Sequence, residues 1–458
     1  MRLQSRLWLP VPILAALVSL SGCTASSADP SRTGSPIPSP EPSEALNPIA
    51  ASDTPPISTR WSALDGEGSF YRAVHMGGNW GTTSDGGATE LPEEYFDWLR
   101  DTNVNWVGIS VALHLDSTMD ASVERRYEGV AVPTFRDDTL RSLIGAFRER
   151  GFHVYLTLAF EDPDEPAADY VHERWMLGDP DIYDETDIPP EDWPWAVEHE
   201  DHEAFVAEFW NTYTEQAVFY GLLAEAEGVE LYSLGTETDR LFRTRPLGGV
   251  GPNDFGDEIV RMVGEVRSVY SGLVTYDMSH FAVIDTEFYG SAPFLWSDAG
   301  FDVIGISAYF QLVDAPLQTV SSVPYLETAW EAVFENYLMP VRERNPGTPI
   351  LFTEFGYTDS LNSPFQPSSE EFTEMRMVDG NGNGIDDGRE TQANIYQALF
   401  NVMDREPGIL QGAFLWGHMM ADDEHWKEFF GAARGFAVRG KAAEEVVRQR
   451  YSQWIHAP

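Results

Sequence analysis

From about residue 70, short apolar runs alternate with longer amphipathic stretches. The runs are rich in β-branched and aromatic residues, which favours strands, while the stretches repeat apolar residues at helical spacing. The predicted strands cover residues 71–76, 104–111, 153–158, 230–234, 273–276, 302–306, 349–353 and 412–416. The predicted helices cover residues 93–100, 140–150, 202–227, 256–270, 326–344, 391–405 and 442–451. This alternation predicts an α/β fold, a (β/α)8 TIM barrel with enlarged loops after its strands.

Two of the predicted strands lead directly to a glutamate. Glu237 follows the apolar run that begins at Val229, and Glu354 follows the run that begins at Thr348. Active sites of such barrels lie at the carboxyl ends of the strands, so we expect both side chains at one mouth. One such glutamate alone is more often an ordinary solvated loop residue. A pair is typical of glycosidases, in which one carboxyl protonates the leaving oxygen and the other attacks the sugar or activates water.

The N-terminus has the pattern of an export signal. Arg2 and Arg6 precede an apolar run from Leu9 to Leu20, and small residues then lead to Cys23. This resembles a bacterial lipoprotein signal, in which the cysteine becomes N-terminal and carries lipid. The alternative is an ordinary signal peptide with an incidental cysteine. Cys23 is the only cysteine, so an intrachain disulfide is excluded.

The domain organisation follows from these patterns. We expect a signal peptide at residues 1–22, a Ser/Pro-rich disordered tether at 23–60 and one catalytic domain at 61–458. A two-domain solute-binding lipoprotein would share the signal and the tether. It would need two doubly wound lobes, however, and has no use for two glutamates at strand tips. The expected location is therefore extracytoplasmic, with membrane contact only through a lipid anchor.

Composition narrows the class of partner. The 458 residues are 43% hydrophobic and 13% aromatic, which is enough for a large core and for aromatic surfaces that stack on sugars. The formal net charge is −45, so nucleic acid and anionic lipid would be repelled. We expect a polysaccharide or oligosaccharide as the partner, and no cofactor for catalysis.

Several phrases resemble one family of enzymes. They are GVEL at 228–231, GTE at 235–237, DVIGISAYF at 302–310, TEFGY at 353–357, GAFLW at 412–416 and GKAAE at 440–444. In this order they resemble glycoside hydrolase family 113, a group of clan A retaining enzymes whose characterised members are mostly β-1,4-mannanases. The resemblance spans about residues 70–452.

The resemblance implies that Glu237 is the general acid/base and Glu354 the nucleophile. In a retaining site the two carboxyl groups stand only ~5–5.5 Å apart, so the charge on Glu354 keeps Glu237 protonated. Once Glu354 is esterified by the sugar, that charge is gone and Glu237 can serve as a base. The expected outcome is hydrolysis with retention of configuration.

Substrate-binding residues are expected around the same mouth. The resemblance implies that Tyr309 holds the nucleophile and that Trp416 forms the floor under the reacting sugar. For each, a packing role in the core is the alternative. Tyr276 at the end of the fifth strand is a further candidate, as are Asn79 and Trp80 after the first. The long loops also carry Trp175, Trp193, Trp195 and Trp296, which are candidates to line the cleft; for each of them we favour a structural anchor over a subsite.

The segment DGNGNGIDDGRE at 379–390 matches a twelve-residue calcium loop. Its ligands would be Asp379, Asn381, Asn383, the backbone carbonyl of Ile385, Asp387 and Glu390. Gly384 takes the sixth position, where a sharp turn is needed. The alternative is a surface turn without an ion. We expect a structural Ca²⁺ that braces the rim near Glu354 and takes no part in the chemistry.

Together these features predict a lipid-anchored, extracytoplasmic glycoside hydrolase, and endo-β-1,4-mannanase is the expected activity. One alternative is a clan A enzyme that acts on another β-glycan. This remains open because Thr236 precedes Glu237 where clan members often carry asparagine. A different class, a noncatalytic carbohydrate-binding lipoprotein on the same barrel, is the second alternative.

Overall fold

The structure is a computed structural model. It describes residues 71–76, 91–130, 132–161, 177–178, 189–197, 199–242, 255–284, 296, 298–368, 378–417 and 435–455. In this part of the chain, eight parallel strands form a closed barrel. They are β1 (Tyr71–His75), β2 (Trp106–His114), β3 (His153–Glu161), β4 (Leu231–Thr236), β5 (Leu273–Ser279), β6 (Ile304–Ser307), β7 (Ile350–Phe355) and β8 (Leu410–Leu415). The predicted (β/α)8 barrel is therefore confirmed.

Helices alternate with the strands and cover the outside of the barrel. They are α1 (Glu93–Asp101), α2 (Asp137–Glu149), α3 (His202–Glu227), α4 (Gly256–Arg267), the single turn α5 (Phe281–Ile284), α6 (Val323–Val333), α7 (Met339–Arg344), α8 (Asp387–Arg405) and α9 (Ala442–Ile455). A π-helical turn, Phe334–Leu338, joins α6 to α7. The longest helix, α3, has both predicted ends. It stops because Gly228 adopts the left-handed conformation, with φ 67°, that ends many helices.

The barrel interior changes from apolar to polar along its axis. Eight buried side chains form one apolar cluster, and most of them lie near the amino ends of the strands: Ala73, Trp106, Tyr155, Leu231, Leu273, Val303, Leu351 and Phe414. Above this layer the buried residues are mostly hydroxyl-bearing or acidic, and they include Ser233, Thr275, Asp277, Ser307 and Thr353. The apolar layer gives the barrel a packed floor. The polar layers lie under the mouth, where the active site of this fold is expected.

Two strands carry an extra residue just before their tips. Ser233 of β4 pairs with Thr275, but Thr236 already pairs with Asp277, so β4 gains one residue on β5. In the same way, β7 gains one residue on β6 between Phe352 and Glu354. A bulge of this kind turns the following side chain to a new direction. Both bulges lie directly before a predicted catalytic glutamate.

Several predicted features lie outside the described residues. These are the signal peptide with Cys23, the tether, Asn79, Trp80 and Trp175. Within the described ranges, none of the helices is both long enough and apolar enough to span a membrane.

Candidate active site

A pocket of about 680 Å³ opens at the carboxyl ends of the strands. Its lining consists of Glu237, Asp239, Arg240, Ser279, His280, Phe281, Ile284, Tyr309, Phe310, Gln311, Asp314, Tyr337, Glu354, Phe365, Gln366, Pro367, Ser368, Trp416 and Phe436. Both predicted catalytic glutamates, together with Tyr309 and Trp416, therefore line one pocket. Aromatic walls around a few carboxyl groups are the usual composition of a small-molecule site.

Glu237 follows the last residue of β4 and is 6% exposed. Its backbone φ is 52°, in the left-handed region that side-chain-bearing residues seldom adopt. The backbone N–H of Glu237 donates a hydrogen bond of 2.8 Å to the carbonyl of Asp277 on β5, which holds this conformation. Strained residues of this kind concentrate at functional sites. Here the strain and the preceding bulge turn the carboxyl of Glu237 toward the pocket.

Glu354 lies inside β7 and is 4% exposed. The hydroxyl of Tyr309 donates a hydrogen bond of 2.9 Å to its Oε2 atom. The backbone is held as well, because the N–H of Ala308 donates to the carbonyl of Glu354 at 2.7 Å. Burial, followed by the charges of Glu354 and Glu237, raises the pKa of Tyr309 well above its usual range. The phenol thus remains a donor, and both carboxylates lie near enough to act on it.

Trp416 follows β8 and forms another wall of the pocket. Its backbone N–H donates to the carbonyl of Phe355 at 2.8 Å, which ties it to β7. Behind it lies the ring of His75, with ring centroids 4.8 Å apart. Burial lowers the pKa of His75 to about 3, so a neutral imidazole supports the indole. Phe436 extends the aromatic wall, with its ring centroid 5.8 Å from that of Tyr309.

The prediction that Tyr276 contacts the sugar is corrected by its position in the structure. It is fully buried and does not line the pocket. Its hydroxyl contacts the hydroxyls of Thr238 and, at 3.2 Å, of Tyr213. The reason is that β5 continues to Ser279, three residues beyond the predicted end, and side chains alternate along a strand. Tyr276 therefore faces the helices and packs behind the loop that carries Glu237.

The pocket is also lined by Asp239 and Asp314, two carboxyls that the sequence did not single out for a role. Asp239 is 3% exposed and accepts hydrogen bonds from the N–H of Ser279, at 2.7 Å, and from the Ser279 hydroxyl. Burial raises the pKa of Asp239 to about 6, and the nearby charge of Glu237 acts in the same direction. Its sequence signal is its place two residues after a strand-tip glutamate.

Pocket residues directly after β5 were also not predicted from the sequence. Phe281 lines the pocket yet is 50% exposed, and its ring centroid lies 4.2 Å from that of His280. Phe310 packs against the other side of His280, at 5.4 Å between centroids. Because the predicted strand ended at Tyr276, the sequence did not indicate that His280 and Phe281 lie at a strand tip. The correct end of β5 would have identified them.

The loop tryptophans that the structure describes are buried anchors. Trp193 and Trp296 are 0% exposed, Trp195 is 2% exposed, and none of the three lines the pocket. Trp195 packs its ring against Phe205 and Phe209 of α3. These residues hold the long loops to the barrel and do not form subsites.

The predicted calcium loop lies just before α8. The carboxylate of Asp379 accepts hydrogen bonds from the N–H groups of Gly382, at 2.7 Å, and Gly384, at 2.8 Å. The side-chain amides of Asn381 and Asn383 both contact Oε2 of Glu390 at 2.8 Å. Asp387, in turn, accepts from the N–H of Gly380 at 2.9 Å. The side chains of positions three and five thus both contact the carboxylate of position twelve, and the calcium assignment stays a prediction.

Among the residues that the structure describes, no group of three or more His, Cys, Asp or Glu side chains is arranged to hold an ion.

Comparison with known proteins is consistent with this geometry. The family model of glycoside hydrolase family 113 matches residues 193–441, which is more than half of the chain. This range includes Glu237, Tyr309, Glu354 and Trp416. The search of curated proteins found no match.

Solved structures share the fold at low sequence identity. A complex of a family 113 β-1,4-mannanase has 18% identity and a TM-score of 0.56, and the match covers 84% of this chain and 99% of that one. The family 113 β-mannanase of Alicyclobacillus acidocaldarius, in complex with ManMIm, has 19% identity and a TM-score of 0.54, with 84% and 98% covered. A family 5 mannosidase of Rhizomucor miehei, in complex with mannosyl-fructose, has 10% identity and a TM-score of 0.52, with 85% and 93% covered.

Proposed function

Because the chain belongs to glycoside hydrolase family 113, we propose that it is a retaining endo-β-1,4-mannanase that uses Glu237 and Glu354. Membership makes it a clan A glycoside hydrolase on a (β/α)8 barrel. The single observation that supports the finer proposal most is that Glu237 from β4 and Glu354 from β7 line one pocket, with Tyr309 bonded to Glu354.

The proposed reaction has two steps. In the first, a carboxylate oxygen of Glu354 attacks the anomeric carbon while Glu237 gives its proton to the departing glycosidic oxygen, so a glycosyl ester forms and the leaving sugar departs neutral. In the second, Glu237 removes a proton from water, which attacks the same carbon and releases Glu354. Two displacements at one carbon restore its original configuration.

The surrounding residues fit these roles. The hydrogen bond from Tyr309 to Oε2 orients the carboxylate of Glu354, as an attacking group requires. Trp416, supported by His75, offers a flat apolar surface for the reacting sugar. The backbone conformation of Glu237 is held by the carbonyl of Asp277, which fixes the point from which its side chain enters the pocket.

The choice of mannan rests on two supports. Two of the similar structures, from the same family, are described as β-mannanases, one of them in complex with ManMIm. The net charge of −45 disfavours an acidic polysaccharide and suits a neutral one such as mannan. Other neutral β-glycans remain the alternative, and a noncatalytic sugar-binding role is the second.

We also propose a lipid anchor at Cys23 and a structural Ca²⁺ in the loop at 379–390. The anchor rests on the signal pattern around Cys23. Wild-type protein expressed in a bacterium should sediment with membranes and incorporate labelled fatty acid, whereas Cys23→Ser should do neither. Incorporation of label into the serine variant would contradict the anchor.

The decisive experiment is a product analysis of wild-type protein and one variant. Purified wild-type protein is incubated with mannan, β-glucan, galactan and xylan, and reducing ends are measured. On the best substrate, proton NMR of the fresh product should show the β-anomer first, as retention requires. Glu354→Ala should abolish release while leaving binding to the glycan intact.

Each other outcome has a definite meaning. Release of the α-anomer first would overturn the assignment of Glu354 as nucleophile. Best activity on another glycan would replace mannan as the substrate. Binding of glycan without hydrolysis by wild-type protein would favour the noncatalytic alternative.

A further inference from the structure

Asp277 is an acidic residue sealed inside the barrel below the pocket. It is 0% exposed and lies on β5 between Thr236 of β4 and Gly305 of β6. None of the ion pairs in the described part of the chain includes it. Burying a carboxyl group without a cation costs free energy unless the carboxyl is neutral or accepts hydrogen bonds.

The backbone of Asp277 is bonded to β4. Its carbonyl accepts the N–H of Glu237 at 2.8 Å, and its own N–H donates to the hydroxyl of Ser233 at 3.0 Å. The Ser233 hydroxyl in turn donates to the carbonyl of Gly235 at 2.8 Å. These bonds span the bulge of β4, where the regular ladder is interrupted. Asp277 thus stabilises the bent strand end that carries Glu237.

The side chain of Asp277 forms hydrogen bonds with the strands on the other side, β6 and β7. Its Oδ1 atom accepts the hydroxyl of Thr353 on β7 at 2.6 Å and the hydroxyl of Ser307 on β6 at 3.2 Å. Thr353 lies in the second bulge and directly precedes Glu354. Because β5 and β7 are not neighbours in the sheet, the bond from Thr353 crosses the interior. One residue therefore contacts both strand ends that carry the predicted catalytic pair.

The electrostatics favour a neutral carboxyl. Burial raises the pKa of Asp277 well above its usual range, and the charge of Glu237 adds to this. A neutral Asp277 keeps its acceptor Oδ1 without adding a charge beneath Glu354. Its other oxygen, Oδ2, is buried with no hydrogen-bond partner in the described residues, where an ionised oxygen would cost more free energy than a neutral one.

Given the proposed function, on which this inference rests, we propose that Asp277 is a positioning residue that fixes Glu237 and Glu354 relative to each other. Its backbone carbonyl holds the strained turn at Glu237, and its carboxyl holds the bulge before Glu354. It does not touch the sugar and takes no proton in the reaction. Its effect is to keep the two catalytic carboxyls at the separation that the double displacement needs.

The test compares kcat and KM of three variants on the best glycan substrate. Asp277→Asn keeps the acceptor oxygen and the shape, so it should retain kcat within about fivefold. Asp277→Ala removes the link to β7 and should lower kcat by about 100-fold, while KM changes by less than about threefold. Thr353→Val removes the same link from the other side and should lower kcat by about tenfold.

Thr275→Val is the matched control. Thr275 lies on the same strand, is equally buried, and donates its hydroxyl to the carbonyl of Val303 at 2.8 Å. This hydroxyl bonds to neither bulge, so the variant should lose stability but keep kcat. Equal loss of kcat in Thr275→Val and Thr353→Val would reduce the role of Asp277 to general packing and overturn the proposal. This comparison decides the matter if Asp277→Ala does not fold.

Crystal structures separate this proposal from the proposed function. In Thr353→Val we expect the Glu354 carboxyl to shift away from Tyr309, whereas in Thr275→Val it should stay. An unmoved Glu354 in Thr353→Val would refute the positioning role even if the enzyme is active. Conversely, if wild-type protein hydrolyses none of the glycans, the proposed function fails, and the crystallographic comparison still decides whether Asp277 orients the two glutamates.

Discussion

The hydroxyl of Tyr309 lies 2.9 Å from Oε2 of Glu354 and donates a hydrogen bond to it. Tyr309 follows β6 and Glu354 lies on β7, so the bond joins the tips of two adjacent strands. A hydrogen bond to a carboxylate contributes about 1.5–3 kcal/mol, more than one between neutral groups. It leaves Glu354 with one fixed orientation toward the pocket.

Loss of this hydroxyl should therefore slow the reaction. Tyr309→Phe is expected to lower kcat by roughly 10- to 100-fold, as the loss of about 1.5–3 kcal/mol implies, with little change in unfolding temperature. The measurement is steady-state kinetics on the best glycan. Tyr220→Phe is the control, because Tyr220 on α3 is fully buried and its hydroxyl has no partner among the described residues. A similar loss in both variants would contradict the role of Tyr309.

Phe281 should act as a sugar platform at the pocket rim. A half-exposed ring that stacks on His280 presents a fixed flat face to the ligand. Because stacking of this kind contributes about 0.5–1.5 kcal/mol, Phe281→Ala should raise KM roughly 3- to 10-fold and leave kcat unchanged. Tyr325→Ala removes an aromatic ring of similar exposure that does not line the pocket, and it should leave KM unchanged. A fall in kcat for Phe281→Ala would argue against a platform.

Asp239 should make the folded protein lose stability as pH rises. Its pKa is raised to about 6 in the folded state from a usual value of 3.8, so the stabilisation is complete below pH 3.8 and is lost as pH rises through about 6. Asp239→Asn removes this dependence. Relative to wild type, the variant should gain up to about 3 kcal/mol in free energy of unfolding between pH 4 and pH 7. Urea titrations at both pH values measure it, and a constant difference would show that Asp239 is not buried as described.

His75 should make the folded protein lose stability as pH falls, the opposite of the effect of Asp239. Burial lowers its pKa from 6.5 to about 3, so below pH 6.5 the unfolded chain binds a proton that the folded protein does not. Stability therefore falls as pH falls toward 3, by about 1.4 kcal/mol per pH unit. In His75→Gln the free energy of unfolding should decline less steeply between pH 6.5 and pH 4. Above pH 7 the free energies of unfolding of the two proteins should change equally with pH. Equal slopes over the whole pH range would contradict the prediction.

The loop at 379–390 should bind one Ca²⁺. At a calcium concentration of 100 times Kd, binding to the folded state alone adds about 2.7 kcal/mol, so the unfolding temperature of wild type should rise. Glu390→Gln removes the closing carboxylate and should abolish the rise. Glu406→Gln, an exposed glutamate just after α8, is the matched control and should behave as wild type. Calorimetry that detects no calcium binding to wild-type protein would refute the site.

The sequence by itself determined the order and type of the elements, because hydrophobic periodicity is a local property. It also determined that two glutamates follow apolar strands, which was sufficient to expect them at the same end of a barrel. It predicted the end of β5 at Tyr276, three residues too early. The next residues, beginning with Asp277, are too polar to resemble a buried strand, yet the upper interior of this barrel is polar.

Only the tertiary structure decided how the strand tips are turned. The bulges before Glu237 and Glu354 depend on hydrogen-bond register between strands that are far apart in the chain, and no local pattern encodes that register. The same holds for the outward direction of Tyr276 and for the contact of Asp277 with Thr353 across the interior. Closure of the barrel brings these groups together, since each strand end is positioned by its neighbours and not by its own sequence.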